Sequence, residues 1–195
     1  MNILYYLVYF SIIIWVVVPF IQFKKKYFFY FLALVSSDIV TLGARFIFHS
    51  GTNFFYAPFT FLALVALLDV KDIKKYWVVI TIILLAICII SLEKNVTGIP
   101  GFQMTAISLS IIHFFILMIF LKELIIPFVK ENLINIFLVA LIFYEITIVV
   151  KSLNYLTGFT NNYIYWVTTS VFEIIFGLFF IIFKSDDKRL IFQLK

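Results

Sequence analysis

The sequence predicts an all-α integral membrane protein with seven transmembrane helices, and three observations carry that prediction. Composition comes first: 65% of the 195 residues are hydrophobic, 13% are charged and 26 are phenylalanine, far from the usage of a soluble domain. Second, the apolar residues form solid runs without the alternation of a membrane β-strand. Those runs approach the ~20 residues a helix needs to cross a hydrocarbon core about 30 Å thick. Third, the basic residues are sided. Twelve of the fifteen (Lys24, Lys25, Lys26, Lys71, Lys74, Lys75, Lys122, Lys130, Lys184, Lys188, Arg189 and Lys195) fall in alternate connections, against Arg45, Lys94 and Lys151 on the other side. That bias places the N-terminus outside and the C-terminus in the cytoplasm.

The spans read as 3–23, 27–48, 54–70, 77–92, 104–121, 133–150 and 163–183. The first lacks a basic leader and a small-residue cleavage site, so it reads as a retained helix. The second follows Lys24–Lys26 and carries Asp38, Thr41 and Arg45 on one face. The third opens with Asn53, Tyr56 and Thr60, with Pro58 in its first turns. Spans three and four are short, which implies local thinning or lysine snorkelling at their ends. The fourth holds Cys88 and nothing ionisable in its apolar run, as suits a lipid-facing connector. The fifth carries Ser110 and His113 and gives way to an inner interfacial segment from Lys122 to Asn132. The sixth carries Glu145. On the seventh, Asn162, Tyr165, Thr169, Glu173 and Gly177 share one face. Pro19 and Pro127 sit near inner helix ends, where a missing N–H is tolerated. Trp77, Tyr5, Tyr6 and Trp166 suit interfacial aromatic belts.

Internal similarity suggests two three-helix units. Pro19-Phe20-Ile21 is echoed by Pro127-Phe128-Val129, 108 positions later. Ala33-Leu34-Val35 with Asp38-Ile39 is echoed by Ala140-Leu141-Ile142 with Glu145-Ile146, offset by 107. Asn53, Tyr56 and Thr60 are echoed by Asn162, Tyr165 and Thr169, offset by 109. Because three is odd, parallel units need a linker helix, and the fourth span fits, giving a parallel 3+1+3 plan. In a single membrane domain, residues 1–70 form the first unit, 71–103 the linker helix and outer loop, and 104–183 the second unit. Residues 184–195 form a short cytoplasmic tail. The plan resembles that of sugar transporters of the SWEET type and vitamin-precursor carriers of the PnuC type. Phe20 and Phe128 follow the two prolines where a PQ-loop motif would have Gln, so no functional residue is carried over.

Depth along each helix, at about 1.5 Å per residue, puts Asp38 about 16 Å into its span, Glu145 about 18 Å, Glu173 about 15 Å and His113 about 14 Å. An acid at mid-bilayer costs roughly 2.5–3.5 kcal/mol on insertion scales, so these groups should face inward, towards one another or water. Acids held close together share protons, which is the physical basis for coupling to protons. Glu173, on the most continuous polar face, is the leading candidate, with Asp38, Glu145, His113, Arg45, Tyr165 and Thr169 as further ligand- or proton-binding residues. Arg45 stands about 10 Å outward of Asp38, near enough for a positive field. Lys151, six residues beyond Glu145, is expected to snorkel outward rather than pair with it. On span three Leu64 stands where Glu173 stands on span seven, so a central cavity should be asymmetric.

Several functions are excluded. One cysteine forbids an intrachain disulfide, and two histidines, His49 and His113, are too few for a metal cage. There is no ATP-binding motif, and span seven has no lysine for retinal. Ser110 and His113 are three apart, but that spacing does not secure a nucleophile and base, so no catalytic residues are assigned and the chain reads as a non-enzyme. Neither a cofactor nor a metal is implied, and the basic residues serve the lipid surface rather than nucleic acid. What remains is a small-solute transporter or permease in the plasma (inner) membrane. The alternative is a receptor or accessory subunit working with a membrane or cytoplasmic protein partner. Lipid and a small-molecule solute are the other partners.

Overall fold

The computed structural model describes residues 3–48, 55–92, 95–96, 99–157 and 163–194. Within them the chain forms seven α-helices: α1 (Ile3–Ile21), α2 (Phe28–Phe48), α3 (Tyr56–Val65), α4 (Val70–Leu92), α5 (Gly101–Glu131), α6 (Ile136–Thr157) and α7 (Tyr163–Ile182). Four of these, α4 to α7, are long and apolar enough to cross a membrane. Helices α1 and α2 have 19 and 21 residues, or about 28 and 31 Å.

The third predicted span is corrected. Helix α3 has only 10 residues, about 15 Å, and cannot cross a bilayer alone. It ends in a turn over Ala66–Leu68, where Leu67 and Leu68 bond back to Leu64 and Val65. The charged stretch Lys71–Lys75, read as a loop, is instead the first turns of α4. Tyr76 breaks helical geometry there (φ −110°, ψ 16°) where the polar turns meet the apolar run. Beyond that kink α4 is outermost, with Ile87 its one buried residue.

The fifth span is also longer than predicted. Helix α5 continues through the segment read as interfacial and holds Pro127 within its last turns. It stops at Asn132, which takes a left-handed conformation (φ 54°) and donates its N–H to the Phe128 carbonyl, a common helix ending for Asn. Two short strand pairs complete the described chain: β1 (Asn95–Val96) with β2 (Ile99–Pro100), and β3 (Leu133–Asn135) with β4 (Ile191–Gln193), both antiparallel. Residues 133–135, read as helical, are therefore strand, and the segment after 184 folds back upon them.

Helix α1 packs on α7, α5 on α6, α2 on α3 and α3 on α5. The α1–α7 seam is tightly packed at Gly177. Trp15 Nε1 donates to the Glu173 carbonyl at 3.0 Å, and Gln22 Nε2 donates to the carbonyls of Phe180 and Phe183 at 2.7 and 2.8 Å. Higher numbers pair with higher numbers, so the two helices run parallel. Gly177 permits this contact, because a Cβ there would stand 2.6 Å from Ile14 Cγ2 and 3.2 Å from Trp15 Nε1.

An aromatic core fills one half of the bundle. Phe31, Phe137 and Phe180 meet with ring centroids 5.1 to 6.5 Å apart, and Tyr30 meets Phe120 at 5.3 Å. The adjoining end is stitched by polar contacts. Lys25 pairs with Asp186 at 2.6 Å and Lys26 with Glu123 at 2.8 Å, while Tyr27 Oη donates to Glu123 at 2.5 Å. Strands β3 and β4 close over the same end, and the Ser185 N–H donates to Gln22 Oε1 at 3.2 Å. Beside Lys25 the Asp186 carboxyl is held below its ordinary range. A lowered folded value means that this contact is present at neutral pH and is lost only as pH falls through that value.

Gly177→Ala forces the α1–α7 seam apart and should destabilise the protein by about 1–3 kcal/mol, seen as a lower Tm in detergent. The matched control is Gly43→Ala, where nothing lies within 4 Å of the added carbon. That variant should match or exceed the wild-type Tm, because Ala is the better helix former.

Candidate functional site

The half of the bundle away from the stitched end holds a cavity of about 310 Å³. Every helix except α4 contributes to its wall: Ser11 and Trp15 from α1, Ser37 and Asp38 from α2, Tyr56 and Thr60 from α3. Helix α5 adds Thr105 and His113, α6 adds Tyr144, Lys151 and Ser152, and α7 adds Glu173. Asp38 and Glu173 fall at the middle of α2 and α7, Tyr56, Thr60 and Thr105 in the first two turns of α3 and α5, and Lys151 and Ser152 late in α6. The Trp15 and Tyr144 rings stack at 4.5 Å and 30°. Together they separate the cavity from the phenylalanines beneath.

The mid-depth groups of the sequence converge here in two layers. Asp38, His113 and Glu173 line the cavity itself. Glu145 sits behind His113, fully buried. Its carboxylate accepts from the Tyr30 hydroxyl at Oε1 and lies 2.7 Å from His113 Nδ1 at Oε2. Three helices, α2, α5 and α6, meet at that one carboxylate. Such a group persists in a lipid-surrounded interior only with its lone pairs satisfied.

Lys151 corrects the sequence expectation. Rather than snorkelling outward, it turns into the cavity and pairs with Glu173 at 2.6 Å, with side chains 23% and 15% exposed. The rotation argument about its own helix holds, since six residues carry Lys151 off the Glu145 face. What it omits is α7, which carries Glu173 alongside. Asp38 completes this layer, hydrogen-bonded with Tyr56 and within electrostatic range of Glu173 and Lys151.

Two predicted site residues lie elsewhere. Thr169 is buried but bonds its own helix, donating to the Trp166 carbonyl at 3.1 Å, and Tyr165 packs edge-on against Trp166 at 5.2 Å; neither lines the cavity. The Arg45 and Tyr5 side chains, and His49, Asn53, Lys94 and Asn162, lie outside the described residues. Ser110 donates to the Ala106 carbonyl at 2.9 Å, while the His113 Nδ1 faces Glu145. Among the described residues no three His, Cys, Asp or Glu side chains are grouped to hold a metal ion.

Trp15, Tyr30, Tyr144 and Gln22 were missed by the sequence reasoning, and a signal for two of them existed. Trp15 lies deep in its span, away from the interface where a tryptophan normally sits, so its N–H needs an acceptor inside the protein. Gln22 lies near the end of α1 with a side chain that must be satisfied from the neighbouring helix.

No family model matches this chain, nor does any curated protein or solved structure.

Lys151→Met strands the Glu173 carboxylate. The expected loss is about 2–4 kcal/mol, below the figure for a fully buried pair because both side chains keep some exposure. The double variant Lys151→Met with Glu173→Leu should recover most of it, measured as Tm in the same detergent.

Proposed function

We propose that this chain is a multi-pass membrane protein that carries a small polar solute, with the cavity between its six inner helices as the solute site. The observation that carries this reading is a cavity lined by Asp38, Glu173, Lys151 and His113 in a bundle whose outer surface is apolar. Charged groups at such depth are expensive and mark ligand or ion pathways. A cavity of about 310 Å³ suits a small molecule.

Positive-inside bias assigns the stitched end, with Lys24–Lys26 and Lys184–Arg189, to the cytoplasm. The cavity then belongs to the outer half, and the aromatic floor is the inner barrier. The packing of α1 on α7 and of α3 on α5 supports two exchanged three-helix units, because it joins the first helix of each unit to the third of the other. Transport would require the floor at Trp15, Tyr144 and Phe180 to part, together with the contacts of Lys25 and Lys26. The His113–Glu145–Tyr30 group lies between cavity and floor, where a proton taken up at His113 would change the charge beneath the solute.

The sealed end favours a second reading, a receptor or accessory subunit with a protein partner. The C-terminal strand β4 is held by β3, so a solute-driven movement of the floor would be transmitted to the tail without any flux.

Proteoliposomes loaded against a panel of small polar metabolites distinguish the two. On the transport reading at least one solute moves, and Asp38→Asn and Glu173→Gln each slow it by about tenfold or more, the effect of roughly 1.4 kcal/mol in the barrier. Solute binding without flux, together with a partner that co-purifies in fixed ratio, favours the receptor reading. Normal flux in both variants removes the cavity from the mechanism.

A further inference from the structure

The helices bring charge to the cavity in matched pairs, with one acid in addition. Glu173 is matched by Lys151 at 2.6 Å, and Glu145, behind the wall, by His113 at 2.7 Å. None of the ion pairs among the described residues falls on Asp38, which lines the same cavity and takes a hydrogen bond with Tyr56. Among the described residues, Asp38 is therefore the cavity-lining acid with no ion-pair partner. Arg45 lies two helical turns further along α2, about 10 Å away on the axis.

Aromatic side chains line the same cavity as that carboxylate. The Trp15–Tyr144 stack lines the cavity and Tyr56 contributes a third ring. Ring faces are electron-rich and attract cations, most strongly where water is excluded. An acid and stacked rings lining one pocket are the chemistry that recognises a nitrogen cation and disfavours an anion. Among the described residues that line the cavity, the one lysine, Lys151, is held by Glu173.

We propose that the cavity is a site for a small organic cation, an amine or quaternary ammonium solute, with its nitrogen held between Asp38 and the Trp15–Tyr144 rings. This rests on the solute-site reading above and adds the charge of the solute. Ser11, Ser37 and Thr105 also line the cavity and supply hydroxyls to a polar group of the same solute.

The test uses the purified full-length protein in detergent and two probes of one shape: choline, and its uncharged isostere with a quaternary carbon in place of the nitrogen. A small carboxylate and a small polyol complete the panel, and affinity is read by calorimetry and thermal shift. Choline should bind about tenfold tighter than the isostere, as a desolvated cation on aromatic rings does. Asp38→Asn should erase that preference, Asp38→Glu should keep it, and Arg45→Gln should leave it in place. Equal binding of choline and isostere overturns the cation assignment. So does binding of the carboxylate that is lost in Arg45→Gln; in both cases the solute-site reading stands. If no member of the panel binds at millimolar concentration, the cation assignment and the solute-site reading fall together.

Discussion

A single carboxylate without access to water governs how this bundle is arranged. Glu145 cannot be left unsatisfied in a lipid-surrounded interior, so α6 must stand where Tyr30 of α2 and His113 of α5 can reach it. A charge at this depth without partners costs roughly 2.5–3.5 kcal/mol on insertion scales, a large share of a fold's net stability. The contact is thus a restriction on register: sliding any of the three helices by one residue turns a partner away. The α1–α7 seam obeys the same rule with neutral groups. Trp15 and Gln22 direct three N–H bonds onto the α7 backbone, and Gly177 lets the helices come close enough for those bonds to form.

These polar anchors divide the molecule into unequal halves. On one side of the Trp15–Tyr144 stack lie hydroxyls and charges around a cavity; on the other lie tightly packed phenyl rings and then the stitched end. The two kinds of closure differ in strength. Lys25–Asp186 and Lys26–Glu123 have exposed partners, and pairs of that kind contribute little once side-chain entropy and salt screening are counted. The interdigitated rings of Phe31, Phe137 and Phe180 are buried, and separating them exposes apolar surface or opens voids. The barrier between cavity and the stitched end is therefore aromatic packing, with the ionic contacts setting which surfaces meet.

Much of this was legible in the residues themselves. Run length and the lysine bias located most helices, and rise per residue placed Asp38, His113, Glu145 and Glu173 at comparable depth before any neighbour was known. The rest failed for one physical reason: periodicity describes one helix at a time. Lys151 was sent outward because only its own helix was considered, whereas Glu173 on α7 decides its direction. The polar face of α7 was taken as uniform, yet among its described residues only Glu173 reaches the cavity, while Thr169 turns back to the Trp166 carbonyl. Likewise the apolar content of residues 54–70 could not reveal that the helix stops at Val65, nor could the tail sequence reveal its pairing with β3. Each outcome depends on a partner element distant in sequence.

The short third helix also explains the asymmetry expected from Leu64. Helix α7 has 20 residues and α3 has 10, so α7 runs from the cavity down through the aromatic layer, whereas α3 lines the cavity at Tyr56 and Thr60 and joins the core through Ala57, Phe61 and Ala63. Leu64 falls in the last turn of α3 and packs against the hydrophobic core. A carboxylate there would meet that core with the helix about to end and no lysine equivalent to Lys151 alongside. Glu173, by contrast, sits in mid-helix opposite Lys151, where the charge is matched. Helix length and the lysine opposite thus account for an acid at Glu173, on the helix that continues past the cavity, and for an apolar residue at Leu64, on the one that ends there.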